Sequence, residues 1–205
     1  MQLNQNKMRF ISTPHLETGA THQNYWKRLI AKLLQSTKIH SFKPKHRNLK
    51  KKYGERFNFF EEKFSGIQNV MEGIKEKEIN GFIFDIGISS MQLDNPNRGF
   101  SFQSEGSLDM RMDSKGKTAA ELIENIKEDE LADIIYHYGD ERNSRKIASK
   151  IVEFRKNSKI NNTLELATIV KGCFPSKYYK KHPATKTFQA IRIYLNNEIE
   201  ELCAG

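Results

Sequence analysis

The sequence has few cysteines, no long apolar run and no stretch that resembles a secretory signal. The two cysteines, Cys173 and Cys203, are too few for a disulfide framework or a four-ligand zinc site. No apolar run approaches the roughly 20 residues that span a bilayer, and residues 1–10 lack the apolar stretch of a secretory signal. We therefore expect a cytoplasmic protein in a reducing compartment, with no membrane partner and no metal site.

Negative charge is nearly absent from the first quarter of the chain. The 205 residues carry a formal net charge of +9, yet residues 1–52 hold 12 lysines and arginines and a single acid, Glu17. The rest of the chain holds 22 basic and 24 acidic residues, so the composition changes near Tyr53. A basic arm of this kind can bind nucleic-acid phosphates. The alternative is a segment that is not a working part of the fold.

Apolar patterns after Tyr53 predict a piece of an α/β sheet. Residues 56–60 and 82–86 are typical of strands, and the second run suits a strand buried on both faces. Between them, apolar residues at helical spacing predict a helix over residues 64–74. Residues 87–116 contain four glycines and no clear periodicity, which indicates a long loop of a kind that is uncommon unless functional.

Helical patterns dominate from Lys117 onward. Thr118 and Glu121 predict a capping box, Gly139 is expected to end the second helix of this region, and Pro183 to open the last one, which runs to Leu202. Two further helices are predicted around residues 147–154 and 164–170. A doubly wound domain returns to strands after its helices, so we expect the C-terminal part of the core to be missing.

The longest motif follows the second predicted strand. It reads FDIGISSMQLD (residues 84–94) and continues through RGFSF (98–102) to LDMRMD (108–113). An acid at the carboxyl end of a buried strand, followed by a glycine turn, lies where open α/β sheets bind ligands. Asp85 can accept hydrogen bonds from an amine or a ribose there. From the residues alone, a carboxylate that caps a helix or braces the loop is an equal alternative.

This run resembles the signature of the bacterial 16S ribosomal RNA cytosine-N4 methyltransferases of the MraW (RsmH) type. Three further blocks resemble that family in the same order, LADIIYHYGDE (131–141), SRKIA (144–148) and HPATKTFQAIRI (182–193). The resemblance covers residues 53 to about 202. Glu105 and Ser107 depart from it, since they replace the aspartate and proline usual before Leu108.

The resemblance implies an α/β fold, here a partial Rossmann-like class I methyltransferase sheet with an inserted all-helical domain. We expect residues 53–116 to form the partial core, including the long loop that carries the motif, and residues 117–205 to form the helical insertion domain. The implied activity is methylation, with S-adenosylmethionine, of the N4 amine of a cytidine in the decoding centre of 16S rRNA in the small ribosomal subunit. By motif position, Phe64, Asp85 and Gln92 should line the cofactor site, and Asp85 is the catalytic candidate.

Several side chains of the loop and the helices are candidates for contact with RNA. Phe100 and Phe102 could stack on a base, with packing that anchors the loop as the alternative. Four cations of the helical region could contact phosphate, and for each a solvated helix face is the alternative: Arg142, Arg145, Lys146 and Arg192.

Two motifs that the family places at its N-terminus are missing from residues 1–52. They are a strand followed by Asp-x-Thr-x-Gly-x-Gly-Gly, and a second strand that ends in an acid able to bind ribose hydroxyls. Gly19 is the only glycine in this segment. Codons can be chosen for Thr21 to His40 so that another frame encodes a helix and a strand ending in an acid. Extended back to Ser12, the same frame permits the glycine motif.

We therefore predict that residues 1–52 are an anomalous basic segment read out of frame. The chain is then a truncated, impaired methyltransferase in which S-adenosylmethionine binding is lost or weak. A genuine amphipathic or RNA-binding arm is the alternative for this segment. For the whole chain, the alternatives are a non-enzymatic RNA-binding module and an inactive relic.

Overall fold

The computed structural model of this chain describes residues 43–54, 58, 60, 62–73, 86–113, 115–175 and 181–205. The chain divides into two units, Met1–Gly87 and Ile88–Gly205. Across the described ranges, the regular elements are helices, and one isolated antiparallel bridge joins Ser107 to Asn162. None of the helices described is both long and apolar enough to cross a membrane.

The first unit contains two described α-helices. Helix α1 spans Lys43–Tyr53, and its last turn carries Lys50, Lys51 and Lys52, whose charges favour a helix C-terminus. A 3₁₀ turn at Phe64–Gly66 leads into α2, Ile67–Gly73, which confirms the helix predicted over residues 64–74.

The two predicted strands fall mostly outside the described residues. Of their positions the structure describes Asn58, Phe60 and Ile86, and these three lie in no strand. The sheet of the predicted α/β core therefore stays a prediction, and helices are what the structure shows.

The second unit is a bundle of helices with a long irregular segment at its start. Helix α3 spans Ser90–Leu93, and a 3₁₀ turn follows at Pro96–Arg98. The longer helices are α4 (Ala119–Asn125), α5 (Glu128–Gly139), α6 (Ser144–Arg155), α7 (Thr163–Lys171), α8 (Thr185–Leu195) and α9 (Glu198–Ala204). Helical spacing after Lys117 thus predicted the region correctly.

The core of this unit forms where α5 packs against both α6 and α8 and where α6 packs against α7. Each helix is amphipathic and turns an aliphatic stripe inward, as the 3.6-residue period requires. The fully buried side chains include Leu131, Ile135, Ile147, Ile151, Leu166, Val170 and Ile191.

Side chains at two helix starts satisfy backbone amides that have no partner within the helix. The Thr118 hydroxyl accepts a hydrogen bond from Glu121 N at 3.2 Å, and the Glu121 carboxylate accepts one from Thr118 N at 2.8 Å. This confirms the predicted capping box of α4. At α7 the Asn162 side chain accepts from Glu165 N at 2.9 Å.

One of the predicted helix boundaries is confirmed and another was wrong. Helix α5 ends at Gly139, as predicted, and the next residue, Asp140, adopts the left-handed conformation with φ of 50°. The last predicted helix is two helices, because α8 ends at Leu195 and Asn197 adopts a left-handed φ of 49° before α9 begins. Pro183 lies in the turn that precedes α8.

Gly139 also permits close packing of α5 on α8. A Cβ atom at this position would lie 2.7 Å from the backbone oxygen of Lys186 and 3.1 Å from the Cβ of Ala190. The first distance is too short for a real contact with backbone, so the two helices would have to separate.

We expect Gly139→Ala to lower the free energy of unfolding by about 1–3 kcal/mol, the usual cost of overpacking. Gly172→Ala is the matched control, because its Cβ would meet its nearest atom at 3.4 Å, an ordinary contact. Urea denaturation followed by circular dichroism measures both. Equal stability of the two variants would contradict the close approach.

Candidate functional site

The second half of the family-like motif, residues 98–112, is an irregular segment that packs within the helical unit. We call it the motif loop. Its side chains Phe100, Leu108 and Met110 are buried in the helical core. The Arg98 guanidinium closes the loop, because it donates hydrogen bonds to the backbone oxygens of Arg111 and Met112, the second at 3.0 Å.

Gly99 makes this closure possible. Its φ is +69°, which side chains rarely tolerate, and a Cβ there would lie 2.2 Å from the backbone oxygen of Ser107. The start of the loop therefore approaches the backbone of residues 107–109 at a position where only glycine fits.

The motif loop also caps two helices with its own carbonyls. Ala119 N and Ala120 N at the start of α4 donate to Asp109 O at 2.8 Å and Leu108 O at 2.9 Å. At the start of α7, Thr163 N donates to Gly106 O at 3.0 Å, and the Thr163 hydroxyl donates to Ser104 O at 3.1 Å. Loop carbonyls and orphan helix amides satisfy one another.

The two positions that depart from the family pattern face the same helix start. Glu105 accepts a hydrogen bond from the Asn162 side chain at 3.3 Å, and Ser107 forms the isolated bridge with Asn162. These substitutions are therefore accommodated locally by α7.

Asn196, between α8 and α9, clamps the far end of the motif loop. Its Oδ1 accepts a hydrogen bond from Met112 N at 2.7 Å, and its Nδ2 donates to Met110 O at 2.8 Å. The same Nδ2 donates to Arg192 O at 2.8 Å at the end of α8. One carboxamide thus ties the loop to the helix terminus, and Met110 is held at a positive φ of 58°.

An ion pair fixes the loop beside this clamp. The Asp109 carboxylate accepts two hydrogen bonds from the Arg111 guanidinium, at 2.9 Å and 2.8 Å, and a third from Arg111 N at 2.9 Å. Burial alone would raise the pKa of Asp109, but these hydrogen bonds and the positive charges of Arg111 and Arg98 hold its pKa below the ordinary value.

Gln92, a predicted cofactor residue, is buried at the end of α3. Ser89 and Gln92 form a reciprocal cap, since the Gln92 Oε1 accepts from Ser89 N at 2.9 Å and the Ser89 hydroxyl accepts from Gln92 N at 3.3 Å. The side chain is only 3% exposed, and its Nε2 finds no hydrogen-bond partner among the residues described. A buried donor of this kind fits a ligand that supplies an acceptor.

The other two predicted cofactor residues belong to the first unit of the chain. Phe64 is half-buried at the start of the 3₁₀ turn that precedes α2. Asp85, which is also the catalytic candidate, lies outside the described residues. The cofactor roles of Phe64, Asp85 and Gln92 remain predictions.

The two loop phenylalanines pack against protein. Phe100 is buried, with the Arg98 guanidinium 5.8 Å from its ring centre. Phe102 contacts the rings of His182 and Phe188, with centroid separations of 4.7 Å and 4.8 Å. Burial, followed by the charge of Lys171, lowers the pKa of His182, which favours a neutral ring at this packing site. These contacts favour loop anchoring over base stacking.

The four predicted phosphate-binding residues have different surroundings. Arg142 is exposed, and Arg145 is 79% exposed with Asp129 3.8 Å away. Lys146 donates from Nζ to Cys173 O at 2.8 Å, which joins α6 to the end of α7. Arg192 is bound bidentately by Glu198, at 2.7 Å and 3.0 Å, and is 18% exposed.

Phosphate contact at Arg192 would require this ion pair to break, whereas Arg142 and Arg145 are accessible as they stand. The arginines could not be told apart from the sequence alone, because the acidic partner Glu198 lies beyond the predicted motif block. The phosphate roles of all four residues stay predictions.

A sequence model of the MraW methylase family matches residues 29–204. The chain belongs to this family. The proteins named ribosomal RNA small subunit methyltransferase H from Rickettsia felis and Rickettsia bellii are each 51% identical to it over 158 residues, which is 77% of this chain and 51% of each relative. The protein of the same name from Rickettsia canadensis is 51% identical over 154 residues, 75% of this chain and 49% of its own.

The family resemblance inferred from the four motif blocks is thereby confirmed. The chain spans about half the length of the curated relatives it matches. The family match begins at residue 29, inside the basic segment 1–52. Membership implies the class I methyltransferase fold, while the reading-frame hypothesis stays a prediction.

Sequence reasoning missed the residues that position the motif loop. Asn196 and Thr163 occupy helix termini, and Arg98 lies in a motif whose arginine carries no visible signal for closing a loop. Only the general rule that asparagine and threonine prefer helix ends pointed toward the first two.

We expect Asn196→Ala to lower the free energy of unfolding by about 2–3 kcal/mol, because it leaves a loop donor and a loop acceptor without partners. Hydrogen exchange at Met112 N should accelerate accordingly. Asn157→Ala, at an exposed turn after α6, is the control and should stay within about 0.5 kcal/mol. Unchanged exchange at Met112 in the Asn196 variant would rule out the clamp.

The Asp109–Arg111 pair should make stability depend on acid pH. Because the pKa of Asp109 is lowered in the folded chain, its contribution is present above about pH 4, the ordinary range of an aspartate, and is lost as pH falls. Urea midpoints between pH 6 and pH 3 should fall less steeply for Asp109→Asn than for the parent. A slope equal to that of the parent in the Asp109 variant would contradict the ion pair's role.

Proposed function

We propose that this chain derives from a cytoplasmic methyltransferase that uses S-adenosylmethionine to methylate the N4 amine of a cytidine in the decoding centre of 16S rRNA. The observation that carries the proposal is the 51% identity to the Rickettsia felis and Rickettsia bellii proteins over 158 residues, 77% of this chain. Both relatives are named for methylation of small-subunit rRNA.

Gln92 supports the cofactor part of the proposal. An unsatisfied buried donor costs about 1–3 kcal/mol, and a ligand that accepts a hydrogen bond from Nε2 would remove that cost. S-adenosylmethionine, when bound, supplies an activated methyl group. Gln92 would hold one of its polar groups, with Phe64 and Asp85 as the further predicted contacts.

The chemistry of the substrate indicates what the remaining residues must do. The lone pair of the cytosine amine is delocalised into the ring, so the amine is a poor nucleophile. An enzyme gains rate by fixing its orientation and accepting its hydrogen bonds. Asp85, or the backbone oxygens near Ser89, would serve as those acceptors. The Ser89–Gln92 cap holds this backbone in one conformation.

We further propose that cofactor binding is impaired in this chain. Residues 1–52 lack the glycine motif and the ribose-binding acid. Each lost hydrogen bond to a charged group is worth about 1.5–3 kcal/mol, so two losses weaken affinity by orders of magnitude.

A second function, RNA binding without catalysis, has its own support. Ile88–Gly205 is a separate unit with a continuous core, and it carries the exposed Arg142 and Arg145. Both arginines are accessible to a phosphate in the structure of this unit.

Methyl transfer and calorimetry test these proposals. The 205-residue chain should show no saturable S-adenosylmethionine binding and no methylation of small subunits from a strain that lacks the enzyme. A hybrid that takes its N-terminal segment, and the sequence beyond Gly205, from the Rickettsia felis relative should do both. Methylation at a site other than a cytidine N4 would contradict the proposed function, and full activity of the 205-residue chain would contradict impairment.

Within the hybrid, Gln92→Met should weaken cofactor binding about tenfold, as expected for one lost hydrogen bond. Gln103→Met replaces an exposed glutamine of the same unit and should bind as the parent does. Melting temperatures of both variants separate a lost contact from a lost fold.

A further inference from the structure

The outer face of α5 and the start of α6 form an open groove on the helical unit. Its volume is about 540 Å³, which lies in the size range of small-ligand sites. The lining residues include Asp133, Tyr136 and His137 from α5, and Arg142, Asn143 and Arg145 from the start of α6 and the turn before it. The groove therefore has an aromatic side and a cationic side.

Tyr136 is the exposed aromatic of this groove. Its side chain is 53% exposed, although the neighbouring Ile134 and Ile135 are buried. The ring of His137 meets it edge to face, with 5.1 Å between centroids and an interplanar angle of 85°. This contact restrains the tyrosine ring and leaves it accessible from solvent.

The groove and its rim carry charges of both signs. Arg142 and Arg145 lie on the α6 side, and the Asp129 that approaches Arg145 at 3.8 Å is itself 94% exposed. An exposed pair at this distance contributes little, so a phosphate can displace it. Asp133 lies on the α5 side beside Tyr136, where its carboxylate repels phosphate.

We propose that this groove binds one nucleotide of single-stranded RNA, with its base stacked on Tyr136 and its phosphates on Arg142 and Arg145. Stacking on an exposed aromatic requires an unpaired base, since the bases of a duplex are already stacked and paired. The inference rests on the proposed function for its substrate class, but it requires neither cofactor nor methyl transfer.

Photocrosslinking locates the contact. A short single-stranded oligouridine that carries one 4-thiouridine is irradiated with the full chain and without S-adenosylmethionine. Cleavage by trypsin after Lys127 and Arg142 releases a peptide of residues 128–142, which contains Tyr136. We expect the crosslink in this peptide. Crosslinks confined to other peptides, such as those of the basic segment 1–52, would overturn the proposal.

The aromatic side of the groove is tested by measuring, with fluorescence anisotropy, how variants of the full chain bind RNA. Tyr136→Ala should weaken binding of the oligouridine about tenfold, and Tyr136→Phe should restore it. A blunt RNA duplex should bind both variants equally. Phe154→Ala removes an exposed aromatic elsewhere on α6 and should change nothing. Loss of duplex and single-strand binding to the same extent would contradict stacking.

The cationic side is tested by charge-matched substitutions. The plot of log affinity against log salt has a negative slope. Arg142→Gln with Arg145→Gln should reduce the magnitude of this slope by about 1.4, the value for two phosphate contacts on a single strand. Lys156→Gln with Lys159→Gln removes the same charge from exposed positions outside the groove and should reduce the magnitude less. Equal slopes for the two pairs would overturn the assignment, and neither result depends on whether the hybrid methylates RNA.

Discussion

A segment without helix or strand that runs through a buried core must find partners for its own backbone. The motif loop is in this position, because Leu108 and Met110 are fully buried within the helical unit. Each amide or carbonyl left unpaired there would cost as much as a lost hydrogen bond. The loop meets this requirement at helix termini. The first amides of α4 and α7 have no acceptor within their own helices, and the loop carbonyls accept their hydrogen bonds. Asn196 completes the exchange, since one carboxamide supplies both a donor and an acceptor.

This exchange explains why residues far apart in the sequence belong to one structure. Thr163 and Asn196 contribute nothing to the apolar pattern, yet Thr163 holds the middle of the loop and Asn196 holds its far end. The Asp109–Arg111 pair then holds the stretch between them, and Asp109 also supplies the carbonyl that receives Ala119 N. Several residues of the family motif therefore have a structural role, because they attach an irregular backbone to the helices. Any role of the same residues in chemistry would use a backbone already held in place.

Local rules predicted what depends on neighbouring residues. The capping box of Thr118 and Glu121 and the helices after Lys117 follow from spacing alone, because their partners are three or four positions away. Local rules did not predict what a distant element decides. Gly139 ends α5 as predicted, but the close approach of α8 at this residue could not be read from the sequence. The apolar pattern through Leu202 is continuous, but the helix is interrupted at Asn197. Gln92 was found through the family motif. Its burial, and an Nε2 that has no hydrogen-bond partner among the described residues, could not have been read from the sequence.

The charges of the helical unit show how packing decides which cations remain available to a ligand. Arg192 sits within a motif block, yet Glu198 of the next helix binds it on two atoms and buries the pair. Lys146 is held by Cys173 O. Arg142 and Arg145 lie where α5 gives way to α6, and no buried acid reaches them among the contacts of the described residues. Arg145 has only the exposed Asp129 as its ion-pair partner among the described residues, and Arg142 is exposed. Packing therefore engages Arg192 and Lys146 and leaves Arg142 and Arg145 accessible to solvent.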